Sequence, residues 1–322
     1  MDCCDPGVAV AGLLVGVVVG LTGMGGGALM TPVLILFFGV PPLAAVSSDV
    51  VAGLFMKPVG GLVHLRRGTV HLGLVRWLCV GSVPGAFCGV LALRSFGSGE
   101  RLAEVLLGVL GAVLVVASLG MVAKAYFHLR DRQERRRTGR PPAAEPAIAT
   151  VPVRPTATVL VGAGGGLVVG MTSVGAGSLM IVALLLLYPS LTAGRLVGTD
   201  LVQAVPLVAS ASLGHVLVGD FDPGLTGSVL VGAMPGVWLG ARLSSRSRGG
   251  LVRRALAVVL LASGLRLLGV PTGLVLVTVG AALAGGTLTW AWFRTRLGEP
   301  PRTWQRRLRQ AVRPGPEPPV PR

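Results

Sequence analysis

Charge is what this 322-residue chain has least of: Asp, Glu, Lys and Arg make up 13% of it, and aromatic residues 5%. Soluble globular domains carry about 25% charged residues, so an ordinary water-exposed fold is excluded. Acidic residues are the scarcer sign, 13 against 29 Lys and Arg. The four cysteines form neither a metal-ligand spacing nor a disulfide framework. Cys79 and Cys88 lie in an apolar stretch as small packing residues, and Cys3-Cys4 is a candidate acylation site. No positive n-region or A-x-A site lies ahead of the first apolar run, which argues against a cleaved signal peptide. No nucleophile–base–orienter set and no paired-carboxylate or His/Cys ligand spacing occurs. Nothing in the chain asks for an enzyme mechanism, a metal or a cofactor.

What is present in quantity is apolar: 52% of the residues. The charges are segregated from it. Residues 7–30 and 102–122 hold at most one charge each, whereas 130–140 and 294–322 are dense in arginine. Apolar runs of about 20 residues cross a bilayer core of about 30 Å, so the expected fold is an all-α polytopic membrane protein. The net charge of +16 belongs to loops and tail, as the positive-inside rule requires of cytoplasmic connections. Such charge meets anionic lipid headgroups, and no nucleic-acid partner is expected.

The chain also contains itself twice. Gly20–Met30 recurs as Gly170–Met180; one residue of slippage later, Asp49 falls on Asp200, His64 on His215, Gly81 on Gly232 and Pro84-Gly85 on Pro235-Gly236. In an apolar chain, long homologous halves with glycine-broken segments in matching places point to a secondary transporter. The expected organisation is a transmembrane repeat over 7–127, a basic cytoplasmic linker over 128–155 and a second transmembrane repeat over 156–270. An extra transmembrane helix at 271–293 and a basic, disordered cytoplasmic tail at 294–322 complete it. Within the repeats, broken segments at 7–40 and 156–188 precede helices at 43–65, 72–93 and 102–127 and at 192–217, 224–243 and 253–269.

Charge bias orients the halves. Arg66-Arg67 follows the second element of the first half, but the matching stretch of the second half, Gly219–Asp222, is acidic. The next loop, from Arg242 to Arg254, holds five arginines instead. The favoured side has flipped, as inverted repeats with re-entrant or discontinuous glycine-broken helices require.

Gly12, Gly16 and Gly20, like Gly162, Gly166 and Gly170, are spaced by four and line one helix face for close packing. The cluster Gly23–Gly27, with Met24 its only other residue, is too costly for a helix interior. Broken backbone at membrane depth must line protein or a watery cavity, and it frees the N–H groups of the next half-helix for an anion. Candidate substrate-binding residues are therefore Gly23, Gly25, Gly26 and Gly27, with Thr172, Ser173, Gly175 and Gly177 in the second break. Lys57 joins them as the cation.

On one helix, Lys57 lies about 80° and His64 about 60° from Asp49, on the same side. Intramembrane ionisable groups mark pathways and proton relays, so Asp49, His64, Asp200, Gln203 and His215 are candidates for proton coupling or a polar pathway. Asp49 as a cap of its helix start, and His64 at the interface beside Arg66, are the structural alternatives. Val208 stands where a second Lys57 would fall, so the halves are not equivalent. Ser47, Ser48, Thr199 and Thr22 offer further hydroxyls.

These residues resemble the sulfite exporter TauE/SafE family. The resemblance rests on Gly23–Gly27 with Pro32, on Val46-Ser47-Ser48-Asp49, Lys57 and His64–Gly68, and on Gly81–Ala86. Gly198–Leu201 and Gly232–Gly236 match in the second half, and coverage runs from about residue 7 to 293. Ser-Ser-Asp stands where the family's commoner form has Gly-Thr-Asp or Gly-Thr-Ser, and the second glycine cluster is thinner. What the resemblance implies is a multi-pass permease of the cell (plasma) membrane. It would export a small inorganic or organic sulfur anion, sulfite or an organosulfonate, by alternating access. An accessory or scaffold protein docking a sulfur-metabolising enzyme through the linker and tail, or a transporter for a different small anion, are the other readings. A homo-oligomer stays open.

Overall fold

Glycine decides both where the helices of this chain stop and how closely they pack. The structure, a computed structural model, describes residues 5–22, 26–66, 68–97, 99–138, 151–175, 177, 179–189, 191, 193–218, 221–244 and 249–296. Among these the chain forms α-helices and no strand. The first half holds α1 (Pro6–Thr22), α2 (Gly27–Phe38), α3 (Pro42–Arg66), α4 (Leu72–Ser95) and α5 (Glu100–Thr138). The second holds α6 (Pro155–Thr172), α7 (Leu179–Leu187), α8 (Ala193–Val218), α9 (Pro223–Ser244) and α10 (Gly249–Leu267), followed by α11 (Thr272–Arg296). Where the breaks were expected, α1 ends at Thr22 and α2 begins at Gly27, and α6 ends at Thr172 and α7 begins at Leu179.

The expected end of α5 needs correction. The helix runs on through the basic residues to Thr138, because Arg, Gln, Glu and Lys are good helix formers once a helix has nucleated. The start of the expected linker is therefore helical, and its residues 139–150 lie outside the described ones, as does the tail from 297. Up to Val275 the chain is one compact unit, and a second unit begins at Leu276 within α11.

Among the described residues, six helices are long and apolar enough to cross a membrane: α3, α4, the part of α5 up to Ala123, α6, α8 from Arg195, and α9 up to Leu243. Shorter apolar helices are α1, α2 and the Thr272–Gly286 part of α11. Local chemistry sets several starts. His71 precedes α4 and its Nδ1 accepts from the Leu74 N–H at 3.1 Å, and Pro155 opens α6 with the fixed φ that a first turn wants. Asp5 and Asp222 accept from the opening N–H groups of α1 and α9.

The two halves are interlocked. The most extensive pairings are α1 with α9 and α4 with α6, followed by α3 with α8, α4 with α8 and α5 with α10. Exchanging each helix for the one five places along turns α1·α9 into α6·α4 and leaves α3·α8 and α5·α10 unchanged. The smaller α2·α3 and α7·α8 contacts exchange in the same way. Each half thus lends its first helix to the fourth helix of the other.

Those two pairings are backbone against backbone. A Cβ at Gly16 would lie 2.6 Å from the Ala233 carbonyl oxygen, and one at Gly12 would lie 2.9 Å from that of Val229. Across the other pair, a Cβ at Gly85 would lie 2.5 Å from the Ala163 oxygen and one at Gly162 2.5 Å from that of Leu78. Real Cβ atoms do not come so close, so only glycine fits. The stripes named from the sequence on α1 and α6 therefore pack as expected. Their partners are the second set of repeated glycines, Gly232, Gly236 and Gly240 on α9 and Gly81, Gly85 and Gly89 on α4.

Neighbouring glycines of α6 should respond in opposite ways to the same methyl group. A Cβ at Gly166 would meet Ser82 Cα at 2.8 Å, whereas nothing lies within 4 Å of one at Gly164. Thermal unfolding in detergent should show Gly166→Ala destabilised by about 2 kcal/mol or more. Gly164→Ala should be neutral or stabilised by up to about 1 kcal/mol.

Candidate functional site

The site begins where the two helix breaks touch. α6 stops because Ser173 takes φ 58°, the left-handed conformation, and its N–H closes the last turn onto the Val169 carbonyl at 2.8 Å. Gly175 and Gly177 follow with φ of 122° and 103°, values that favour glycine. In the first half Gly23 stands where Ser173 does, but it and Gly25 lie outside the described residues. α2 opens at Gly27 with no side-chain cap. A Cβ on Gly27 would fall on the Ser173 carbonyl and lie 2.8 Å from its hydroxyl. The N-terminal end of α2 therefore abuts the C-terminal end of α6.

Asp49 faces this junction from α3. It is not a helix cap: α3 starts at Pro42, which puts Asp49 in the body of the helix with only 1% of its surface exposed. The Thr31 hydroxyl of α2 donates to its Oδ2 at 2.8 Å. Its Oδ1 would be 3.9 Å from a Cβ on Gly26. Ser173 bears on the same carboxylate, yet Oδ1 has no hydrogen-bond partner among the described residues, nor has the buried Ser48 Oγ.

Lys57, half-buried further along α3, joins the halves electrostatically. Its charge acts on Asp49 of its own half and on Asp200 of the other. Asp200 is equally buried and accepts at Oδ1 from the Gln203 amide at 3.2 Å. Ser82 of α4 donates to Gln203 Oε1 at 3.0 Å, tying α4 to α8. Where a second lysine would stand, Val208 is packed in the core.

The histidines divide. His215 is fully buried between three helices. Its Nε2 is 2.8 Å from the Gly170 carbonyl and its Nδ1 is 2.9 Å from the Ser47 hydroxyl. A carbonyl only accepts, so Nε2 carries the proton and Nδ1 accepts from Ser47. His64 occupies the matching place in the first half, where a Cβ on Gly198 would lie 2.9 Å from its Nδ1. With no hydroxyl at Gly198, that nitrogen pairs with Thr69 at 2.9 Å instead, at the half-buried end of α3. The expected Asp49–Lys57–His64 stripe thus converges at Asp49 and Lys57, and His64 closes the helix end.

The hydroxyls divide too. Thr172 donates to the Val168 carbonyl at 2.7 Å and accepts from the Val174 N–H, so it holds the break in shape. Thr22 bonds the Val18 carbonyl of its own helix. Thr31 was not singled out from the sequence, and Ser82 only as part of the stretch Gly81–Ala86. Thr31 carried a readable signal, since it is the only polar side chain in α2.

The family model of the sulfite exporter TauE/SafE group matches residues 8–267. Among curated proteins, the chain is similar to the "Probable membrane transporter protein YjnA" of Bacillus subtilis (strain 168). The two are 32% identical over 262 residues, which are 81% of this chain and 98% of the relative. It is also similar to that organism's "Probable membrane transporter protein YdhB", 25% identical over 79% of this chain and 96% of the relative. No solved structure matches.

Removing the His215 ring should be costly, because it strands the buried Gly170 carbonyl and Ser47 hydroxyl together and opens a cavity. His215→Ala should lose about 2–4 kcal/mol of stability against thermal unfolding. His64→Ala, at a half-buried helix end, should lose about 1 kcal/mol or less.

Proposed function

This chain belongs to the sulfite exporter TauE/SafE family of membrane transporters, and we propose that it exports a small sulfur-containing oxyanion, sulfite or an organosulfonate, across the plasma membrane by alternating access. The observation that carries the reading is the junction of the two breaks. Gly27 at the start of α2 rests on Ser173, with the buried Asp49 and Asp200 and the half-buried Lys57 on α3 and α8.

Each part has a chemical task. The uncapped N–H groups at the start of α2 and the positive end of its dipole favour an oxyanion. Lys57 adds a full positive charge, and at membrane depth water weakens that attraction far less than at a surface. The Thr31, Ser47 and Thr172 protons are already given to Asp49, His215 and the Val168 carbonyl, which leaves the buried Ser48 hydroxyl as a donor for an oxygen of the anion. Asp49 and Asp200 repel an anion that enters without compensation, so its entry is tied to the charge state of the site. Only one half supplies the lysine, which makes the site one-sided within a symmetric frame.

The exchange relation between the halves supports alternating access. If the first half faces one side of the membrane as the second faces the other, as the flipped arginine bias indicates, two related arrangements of the bundle open to opposite sides. The α3·α8 and α5·α10 contacts both map onto themselves under the exchange; α3·α8, which carries Asp49, Lys57 and Asp200, is the natural pivot.

Sulfite or sulfonate flux from proteoliposomes containing the full chain tests the substrate. Lys57→Ala should lower that flux about tenfold or more while the protein remains folded, which corresponds to about 1.4 kcal/mol of lost stabilisation. Undiminished flux would remove Lys57 from the site. Orientation has its own test: with the native cysteines replaced, Ser95→Cys should react with an impermeant thiol reagent from outside the cell, and Leu243→Cys only after the cytoplasmic face is opened.

A further inference from the structure

The first break holds a buried oxygen that the anion site does not use. Asp49 is 1% exposed, and Thr31 satisfies its Oδ2. Oδ1 faces the break at Gly26 and receives no hydrogen bond among the described residues. An ionised carboxylate can only accept, and burying it half-paired is expensive.

Two further oxygens lie at the junction, on the side opposite the start of α2. Ser173 presses its carbonyl and hydroxyl oxygens against Gly27, next to the Gly26 that Asp49 Oδ1 faces. That carbonyl belongs to the C-terminal end of α6, where the helix dipole is negative. A carboxylate oxygen, a hydroxyl and an unwound helix-end carbonyl form a hard, all-oxygen donor set. Unwound carbonyls at half-helix ends are where membrane transporters hold single-charged cations.

We infer that the junction of the two breaks is a binding site for one monovalent cation, H⁺ or Na⁺, held by Asp49 with the oxygens of Ser173. The cation's role as coupling ion for the anion rests on the transport reading above; its binding does not. The second break is not equivalent, because Gln203 already donates to Oδ1 of Asp200.

Few other charges face the site. On α3 there is Lys57, two turns along from Asp49. From α8 come Asp200 and His215, the latter with its ring nitrogens on Gly170 and Ser47. α2 contributes no ionisable residue, nor do α6 and α7. α9 contributes Arg242, stacked over Trp238, and α5 has Glu100, Arg101 and Glu104 near its start.

The test measures thermal unfolding of the full chain in detergent, with no sulfur anion present. One arm adds NaCl in place of choline chloride at constant, mildly alkaline pH. The other lowers the pH in choline chloride alone. A ligand bound only by the native state raises the midpoint, here by about 5 °C at saturation. A rise in the first arm identifies Na⁺, and a rise in the second alone identifies H⁺. Asp49→Asn should abolish the rise and Asp200→Asn should retain it. The inference is overturned if the wild type responds in neither arm, or if Asp49→Asn responds as the wild type does. If Asp49→Asn does not fold, Ser173→Gly keeps the left-handed backbone and the carboxylate but removes the hydroxyl. It should shift the responding midpoint about fivefold in cation concentration; an unshifted midpoint overturns the inference equally. Failure of sulfite flux with the cation response intact would refute the substrate reading alone.

Discussion

The bundle depends on backbone meeting backbone at two places, α1 on α9 and α4 on α6. In hydrocarbon there is no hydrophobic gain from burying an apolar side chain against another helix, because lipid tails are as apolar as leucine. Close van der Waals contact and polar pairing must supply the cohesion instead. Glycine at every fourth position allows two helices to approach until carbonyl oxygens of one lie over Cα atoms of the other. Because each close pair joins one half to the other, the same contact that gives cohesion also fixes the relative placement of the halves. The two breaks are then held against each other, and α3 and α8 meet between them.

Much of this could be read from the residues. The Gly20–Met30 and Gly170–Met180 repeats located both breaks, and the four-residue spacing of Gly12, Gly16 and Gly20 announced a close-packed face. The partner of that face was not legible. Gly232, Gly236 and Gly240 were visible as repeated positions, but periodicity within one helix says nothing about which distant helix it touches. The extension of α5 to Thr138 was missed because charge and a following proline-rich stretch were read as a loop, although the residues concerned are good helix formers.

The polar residues show a similar limit. Asp49, Lys57, Asp200 and Gln203 were recognisable as intramembrane polar groups, and the structure brings the first three into one electrostatic neighbourhood. Their hydrogen-bond partners were hidden, since Thr31 and Ser82 come from other helices. The division between His215 and His64 was equally hidden. It turns on one atom: Ser47 carries a hydroxyl where Gly198, its counterpart, has none. The same sequence divergence that removed the second lysine has thus assigned one histidine to a buried cross-link and the other to a helix end.

The crossed pairing of α1 with α9 has a consequence for how the protein is made. α1 is finished some 200 residues before α9 begins, and at ribosomal rates of about 5–20 residues per second that is roughly 10–40 s. During that interval the glycine face of α1 lies in the lipid with no partner of its own kind, and α4 waits likewise for α6. The first half emerges as a set of inserted helices without its final contacts, and assembly is completed only when the second half arrives. A stop in synthesis after the first half would leave adhesive helices open to pairing with other chains, so the quality-control machinery of the membrane has a defined, long-lived species to deal with.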